Sequence, residues 1–220
     1  MDAIECIKTR ISIRKFKPEP VPRETLERVI DAARWSPSYK NSQPWEIVIV
    51  SGKKKDELSK ILVGLIEKSE PPVPDIPEPL SWPLDIDMRI REHLKRRSEH
   101  FGVDFASPEI IKRAKIANFN FYGAPHGIFL FHDFSLTPWS ILDMGMFAQS
   151  LMLSAHAYGL GTVPQAFLTD YSKTVKEYLG ISESKRLVLG ISIGYPELQD
   201  KANRFRSSRV DIKDMMRFME

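Results

Sequence analysis

The chain has 220 residues, enough for one sizeable hydrophobic core, and no Gly/Ser-rich linker divides it, so a single domain is expected. Its 32 basic and 29 acidic residues leave a net charge of +3, a near balance that gives no case for nucleic acid or an anionic membrane as a partner. The single cysteine, Cys6, excludes an internal disulfide, no run of 18 apolar residues would span a membrane, and the N-terminus lacks a signal-peptide pattern; a reducing, cytoplasmic setting is expected.

Residues 2 to 9 read as a short helix in which Cys6 sits beside the apolar Ile4 and Ile7, the setting of a packing thiol rather than a nucleophile. Residues 23 to 35 carry Leu26, Val29, Ile30 and Ala33 at helical spacing, with Pro22 where a helix start tolerates it. The loop 36–44 leads into an apolar strand at 46–50. Ser51 is placed to cap the next helix, whose buried stripe is Leu58, Ile61, Leu62 and Leu65.

Six of the 16 prolines then fall between Pro71 and Pro83, which rules out regular helix or an interior strand there. Residues 87 to 101 follow as a helix polar around much of its circumference, rich in arginine. The whole stretch, about 68–110, reads as an excursion from the core and a candidate lid. Residues 108–122 resume an amphipathic helix and 127–131 form a second short apolar strand. The pattern 141–158, apolar over a wide face, predicts the most buried helix, capped at Gly159. Thr169 is placed to cap a helix over 170–179 that Gly180 ends, and 187–193 is a buried strand. Strands separated by helices, with no Gly-rich phosphate loop after the first strand, predict an α+β fold rather than a doubly wound dinucleotide fold.

Three segments carry chemistry. In Arg10-Ile11-Ser12-Ile13-Arg14, an extended backbone puts Arg10, Ser12 and Arg14 on one face, a pair of guanidinium forks around a hydroxyl that suits a phosphate, a carboxylate or the carbonyl-rich edge of a planar cofactor. A solvated basic strand end is the competing reading of these residues alone. The second is Ser36-Pro37-Ser38-Tyr39-Lys40-Asn41-Ser42-Gln43-Pro44-Trp45, and the third is Ala157-Tyr158-Gly159-Leu160-Gly161-Thr162-Val163-Pro164 with the turn 163–167 after it. In this order and spacing the three resemble the flavin-dependent nitroreductase family, and the resemblance covers nearly the whole chain outside 68–110.

The resemblance implies a central, mostly antiparallel sheet flanked by helices in an intertwined homodimer, with FMN bound at each of two interfaces. It implies hydride transfer from NADH or NADPH to nitroaromatic or quinone acceptors by a ping-pong mechanism, with small molecules as the only partners besides a second copy. By the same resemblance Arg10, Ser12 and Arg14 contact phosphate, ribityl chain and ring edge. Pro37, Ser38, Tyr39 and Asn41 reach the flavin of the other subunit, although Tyr39 stands where the family loop usually has a small residue. The turn Pro164, Gln165, Ala166 lies at flavin N5, with the backbone N–H of Ala166 as donor and no catalytic side chain. Near the C-terminus Arg209, and then Arg206, are expected at the phosphate. The five histidines show no spacing that would hold a metal. Other activities on the same scaffold, reductive dehalogenation or flavin fragmentation, remain alternatives, as does a flavin-binding protein without turnover.

Overall fold

The computed structural model describes residues 2–220. Four strands, β1 (Glu46–Ser51), β2 (His126–Asp133), β3 (Gly161–Gln165) and β4 (Lys185–Gly194), form one antiparallel sheet in the order β1-β2-β4-β3. The helices are α1 (Ala3–Thr9), α2 (Arg23–Ala33), α3 (Gly52–Glu67), α4 (Leu84–Phe101), α5 (Pro108–Phe119), α6 (Pro138–Ala157), α7 (Ser172–Leu179) and the single turn α8 (Ile212–Met215). The architecture is the expected α+β. Among the described residues no helix is long and apolar enough to cross a membrane.

The continuous apolar run of β2 follows from its position, because both of its faces are covered. Phe129 and Phe131 point to one core with Leu58, Leu62, Phe119 and Val175, whereas Ile128 and Leu130 point to the other with Val29, Phe147 and Leu151. Period-2 alternation therefore splits one strand between two hydrophobic layers. The helix expected to be most buried, α6, supplies much of the second layer, and Cys6 is buried against it, its thiol donating to the Leu153 carbonyl at 3.4 Å.

Three local expectations are corrected. Ser51 flanks α3 but its hydroxyl meets His126 Nδ1 instead of capping the helix. Ile61 is exposed rather than part of the buried stripe. Thr169 ends a 3-10 turn, donating to the Ala166 carbonyl, and α7 starts later, at Ser172. The strand β3 was not expected; its Gly161 and Pro164 are poor strand formers, and it forms because β4 lies alongside. Gly159 adopts φ +77° after α6, the left-handed turn that directs the chain into β3.

Outside β3 the 10–14 segment runs along the sheet edge. Ser12 bridges Thr162 in parallel fashion and the Ile13 N–H donates to the Thr162 carbonyl at 2.9 Å. A Cβ on Gly161 would lie 2.6 Å from Ile13 Cγ1, so only glycine lets the two chains meet this closely.

The excursion divides into two parts. Its proline-rich part is pinned down: the Val73 N–H donates to the Asp170 carbonyl at 2.7 Å, and the Asp75 carboxylate accepts from Lys176 Nζ at 3.0 and 3.2 Å and from the Leu187 N–H at 2.7 Å. Its second part, α4, lies against the loop after β4, where His93, His100 and Phe101 pack around Phe205.

Candidate functional site

The sheet edge that carries the 10–14 segment also carries the C-terminal loop, and Asn203 joins the two. Its side chain accepts the Arg14 N–H at 2.7 Å and donates to the Lys15 and Glu197 carbonyls at 2.8 Å each. Buried and fully bonded, Asn203 sets where the following arginines project. Arg206 is held over it by a 2.7 Å bond to its carbonyl, and Arg209 folds back on the Ser207 and Ser208 carbonyls. Arg10, Ser12, Arg14, Arg206 and Arg209 therefore share one edge of the sheet.

This cluster is electrostatically incomplete. Nε and Nη1 of Arg10 are buried without a hydrogen-bond partner. Among the described residues none of Arg10, Arg14, Arg206 and Arg209 makes an ion pair, whereas Arg23, Arg34, Arg89 and Arg91 all do. Burial, and then the charge of Arg209, holds Arg10 below the ordinary arginine pKa. His93 of α4 faces the same cations: burial first, then Arg97, Arg14, Arg96 and Arg209, pushes its pKa down. A partly buried guanidinium, Arg10, among arginines that share no carboxylate makes a receptor for an anion of at least single charge.

The turn after β3 lies on the same edge. Pro164 and Ala166 are exposed, and Ala166 opens a 3-10 turn, where the N–H has no acceptor within the turn. Gln165 turns the other way. Its amide nitrogen donates to the Asn118 carbonyl at 3.0 Å and its oxygen accepts from the buried Ser192 hydroxyl, so its side chain ties β3 to α5 and β4 and only its backbone can meet a ligand.

The loop with Pro37, Ser38, Tyr39 and Asn41 stands elsewhere in the chain. Its backbone is demanding, with Lys40, Asn41 and Gln43 all at positive φ (53°, 55° and 46°). What stabilises it is Asp143, buried in α6, whose carboxylate oxygens accept the Tyr39 N–H at 3.1 and 3.2 Å. Ser38 adds a bond from the Gln43 N–H at 3.0 Å, and Tyr39 stacks on Trp139 at 5.6 Å. The Arg10 cluster meets α6 at the other end, where Thr9 bonds His156, so about 20 Å of helix axis separates the two.

Sequence reasoning missed Asn203 and Asp143. The signal for Asp143 was present, since it is the only charged residue of α6, and a carboxylate in an otherwise apolar helix implies a bonded partner.

With the geometry in hand, the comparisons are specific. The nitroreductase family matches residues 7–195. A 4-nitrobenzoate reductase of Pseudomonas putida is 32% identical over 218 residues, covering 97% of this chain and 93% of that protein. The crystal structure of the FMN-dependent nitroreductase NfnB from Mycobacterium smegmatis in complex with NADPH superposes with a TM-score of 0.93 at 32% identity, covering 99% of this chain and 98% of that one. The FMN- and NADPH-dependent nitroreductase NfnB from sphigopyxis sp. strain HMH gives a TM-score of 0.95 at 26% identity over the full length of both chains. The family match over most of the chain and the shared fold settle the assignment: the chain belongs to the nitroreductase family.

Proposed function

We propose that the protein is an FMN-dependent oxidoreductase that takes hydride from NAD(P)H and reduces nitroaromatic or quinone acceptors. The observation that carries this reading is Arg10, a guanidinium with two buried, unpartnered nitrogens among other arginines that have no carboxylate. A phosphate supplies the missing charge and oxygens, so the residues present fit the cofactor. Relatives described as FMN-dependent and as 4-nitrobenzoate reductase support it.

In this reading Arg10, Arg206 and Arg209 hold the phosphate, and Ser12 the ribityl hydroxyls. Arg14 would hold positive charge at the polar edge of the ring, and the backbone N–H of Ala166 would be the donor to N5. Bound there, the flavin supplies the hydride carrier that no side chain of the protein can. The chain would orient the reactants and keep positive charge beside the ring, while water can supply the acceptor's protons.

The 37–41 loop completes the site from a second copy, which makes the working unit a homodimer. Two features support this. The loop is remote from the arginine cluster within one chain, and the surface around it is strongly apolar and uncovered, with Trp35 79%, Trp139 57% and Leu142 54% exposed. A helix as uniformly apolar as α6 is expected to be covered on all sides. The excursion acts as the lid, with α4 over the cluster. A reducing, cytoplasmic setting suits both the single thiol and the nicotinamide donor.

The test is direct. Purified protein should be yellow and release FMN on denaturation, and NADPH oxidation should depend on added nitroaromatic. Release of FAD, or of no flavin after reconstitution with FMN, would refute the reading.

A further inference from the structure

The arginines of α4 fall into two groups by what they touch. Arg89 and Arg91 point outward and each is paired one turn back, with Asp85 and Asp87. Arg96 and Arg97 turn toward the body of the protein, and among the described residues neither makes an ion pair. Arg96 donates to the Arg206 carbonyl at 3.4 Å and lies over the Phe205 ring. Arg97 has no such outlet. Its guanidinium carbon is 4.1 Å from the centre of the Phe105 ring, and its Nε is buried without a hydrogen-bond partner. Burial, and then the charge of Arg14, lowers its pKa, opposed by Tyr122.

A cation withdrawn from water onto an aromatic face next to another cation is costly, and a helix with carboxylates to spare has given it none. The anion it fits must therefore come with a ligand. In the flavin reading the phosphate does not meet this need, because that reading gives the phosphate to Arg10, Arg206 and Arg209, whereas the charge acting on Arg97 is that of Arg14, which it sets at the ring edge. The ligand that visits the ring end is the acceptor. A guanidinium held over the Phe105 ring still has N–H groups to offer as a planar fork, which matches a planar carboxylate in two parallel N–H···O bonds. Phe105 at the same time provides an apolar wall for an aromatic ring.

We propose that Arg97 is a specificity-determining residue that receives the carboxylate of the acceptor, so that nitroaromatic acids are the preferred class of substrate. This rests on the flavin reading above and goes beyond it by assigning the substrate's charge to one side chain. Arg89 and Arg91, being paired and exposed, have no part in it.

The experiment uses the FMN-loaded protein with benzoate as a non-reducible ligand, and with 4-nitrobenzoate and nitrobenzene as acceptors. By calorimetry wild type should bind benzoate at least about tenfold more tightly than benzamide, the worth of a charge-assisted pair. Arg97→Leu should weaken benzoate by about ten- to a hundredfold and lower the ratio of kcat/KM for 4-nitrobenzoate over nitrobenzene by a similar factor, with Arg97→Lys in between. The far-UV circular dichroism spectrum of each variant reports whether it has folded, and the visible spectrum its FMN occupancy. Unchanged benzoate affinity and ratio would overturn the proposal. So would weaker FMN binding with the ratio kept, which would assign Arg97 to the cofactor, or an altered preference between NADPH and NADH with the ratio kept, which would assign it to a nucleotide phosphate. Reduction of nitrobenzene by a wild type that does not bind benzoate refutes this inference alone, whereas a wild type that binds no flavin refutes the underlying function and this inference together.

Discussion

Asp75 offers a sharp test of how the proline-rich stretch is held. Its carboxylate is 13% exposed and faces Lys176, whose side chain is only 7% exposed, at 3.0 Å. The same carboxylate accepts the Leu187 N–H, while Lys176 has the Lys185 carbonyl, at 3.1 Å, as its remaining partner. Asp75→Ala would leave a buried ammonium with one neutral acceptor and a buried N–H of β4 with none. Breaking a buried pair from one side costs about 3 to 5 kcal/mol, against 0 to 1 for an exposed pair. Urea unfolding of the flavin-free protein should therefore show a loss of about that size in the Asp75→Ala variant, with the slope unchanged. The double variant Asp75→Ala, Lys176→Met removes both charges and should recover most of the loss, because an uncharged pair leaves little to compensate. A loss below about 1 kcal/mol in the single variant, or strict additivity in the double, would show that water reaches the pair and that the stretch is only loosely attached. The same numbers bear on deletion. Replacing the whole excursion with a short linker would strand Lys176, so lid variants should be cut after Asp75.

Arg10→Ala should weaken FMN by about 1.5 to 3 kcal/mol, measured by titration of the flavin-free protein, and undiminished affinity would remove Arg10 from the site. Leu142→Glu places a charge on the apolar face of α6 and should shift the protein toward monomer in sedimentation and lower flavin occupancy with it; a monomer that keeps its flavin would refute the two-chain site. Burial lowers the pKa of His126, whose Nε2 accepts the Val21 N–H and so must stay unprotonated. Above about pH 6.5 the ring is neutral folded or unfolded and stability is full, whereas below it the unfolded chain takes up a proton that the fold refuses, at up to about 1.4 kcal/mol per pH unit. A thermal midpoint constant from pH 7.5 to 5.5 would contradict this. If, as proposed, one pocket serves donor and acceptor in turn, double-reciprocal plots at several acceptor concentrations should be parallel; intersecting lines would reveal a second binding surface.

The sequence made the helices and three of the four strands legible because their apolar residues repeat at 3.6 or follow one another without a break, and burial enforces both patterns. It did not reveal β3, where Gly161 and Pro164 argue against a strand and only pairing with β4 decides the matter. Arg10, Ser12 and Arg14 were legible because alternation alone puts them on one face. Whether Gln165 would meet a ligand by side chain or backbone was not legible, since that depends on Ser192 and Asn118 reaching the same point from distant parts of the chain. The same holds for α4: its composition showed four arginines, and only tertiary contacts divide the two that are neutralised from the two that are not.

The close meeting of Gly161 with Ile13 bears on how such a protein can diverge. Any larger residue at 161 must push the neighbouring segment outward, and that segment carries Arg10, Ser12 and Arg14 on its far side. Position 161 touches no ligand in the proposed site, yet it sets the spacing between the arginines and the turn at Ala166. Lineages are then free to vary the lid and the acceptor they admit, but not this glycine, without retuning every contact along the edge at once. Mutational tolerance should accordingly be lowest at a residue with no side chain and no chemistry of its own.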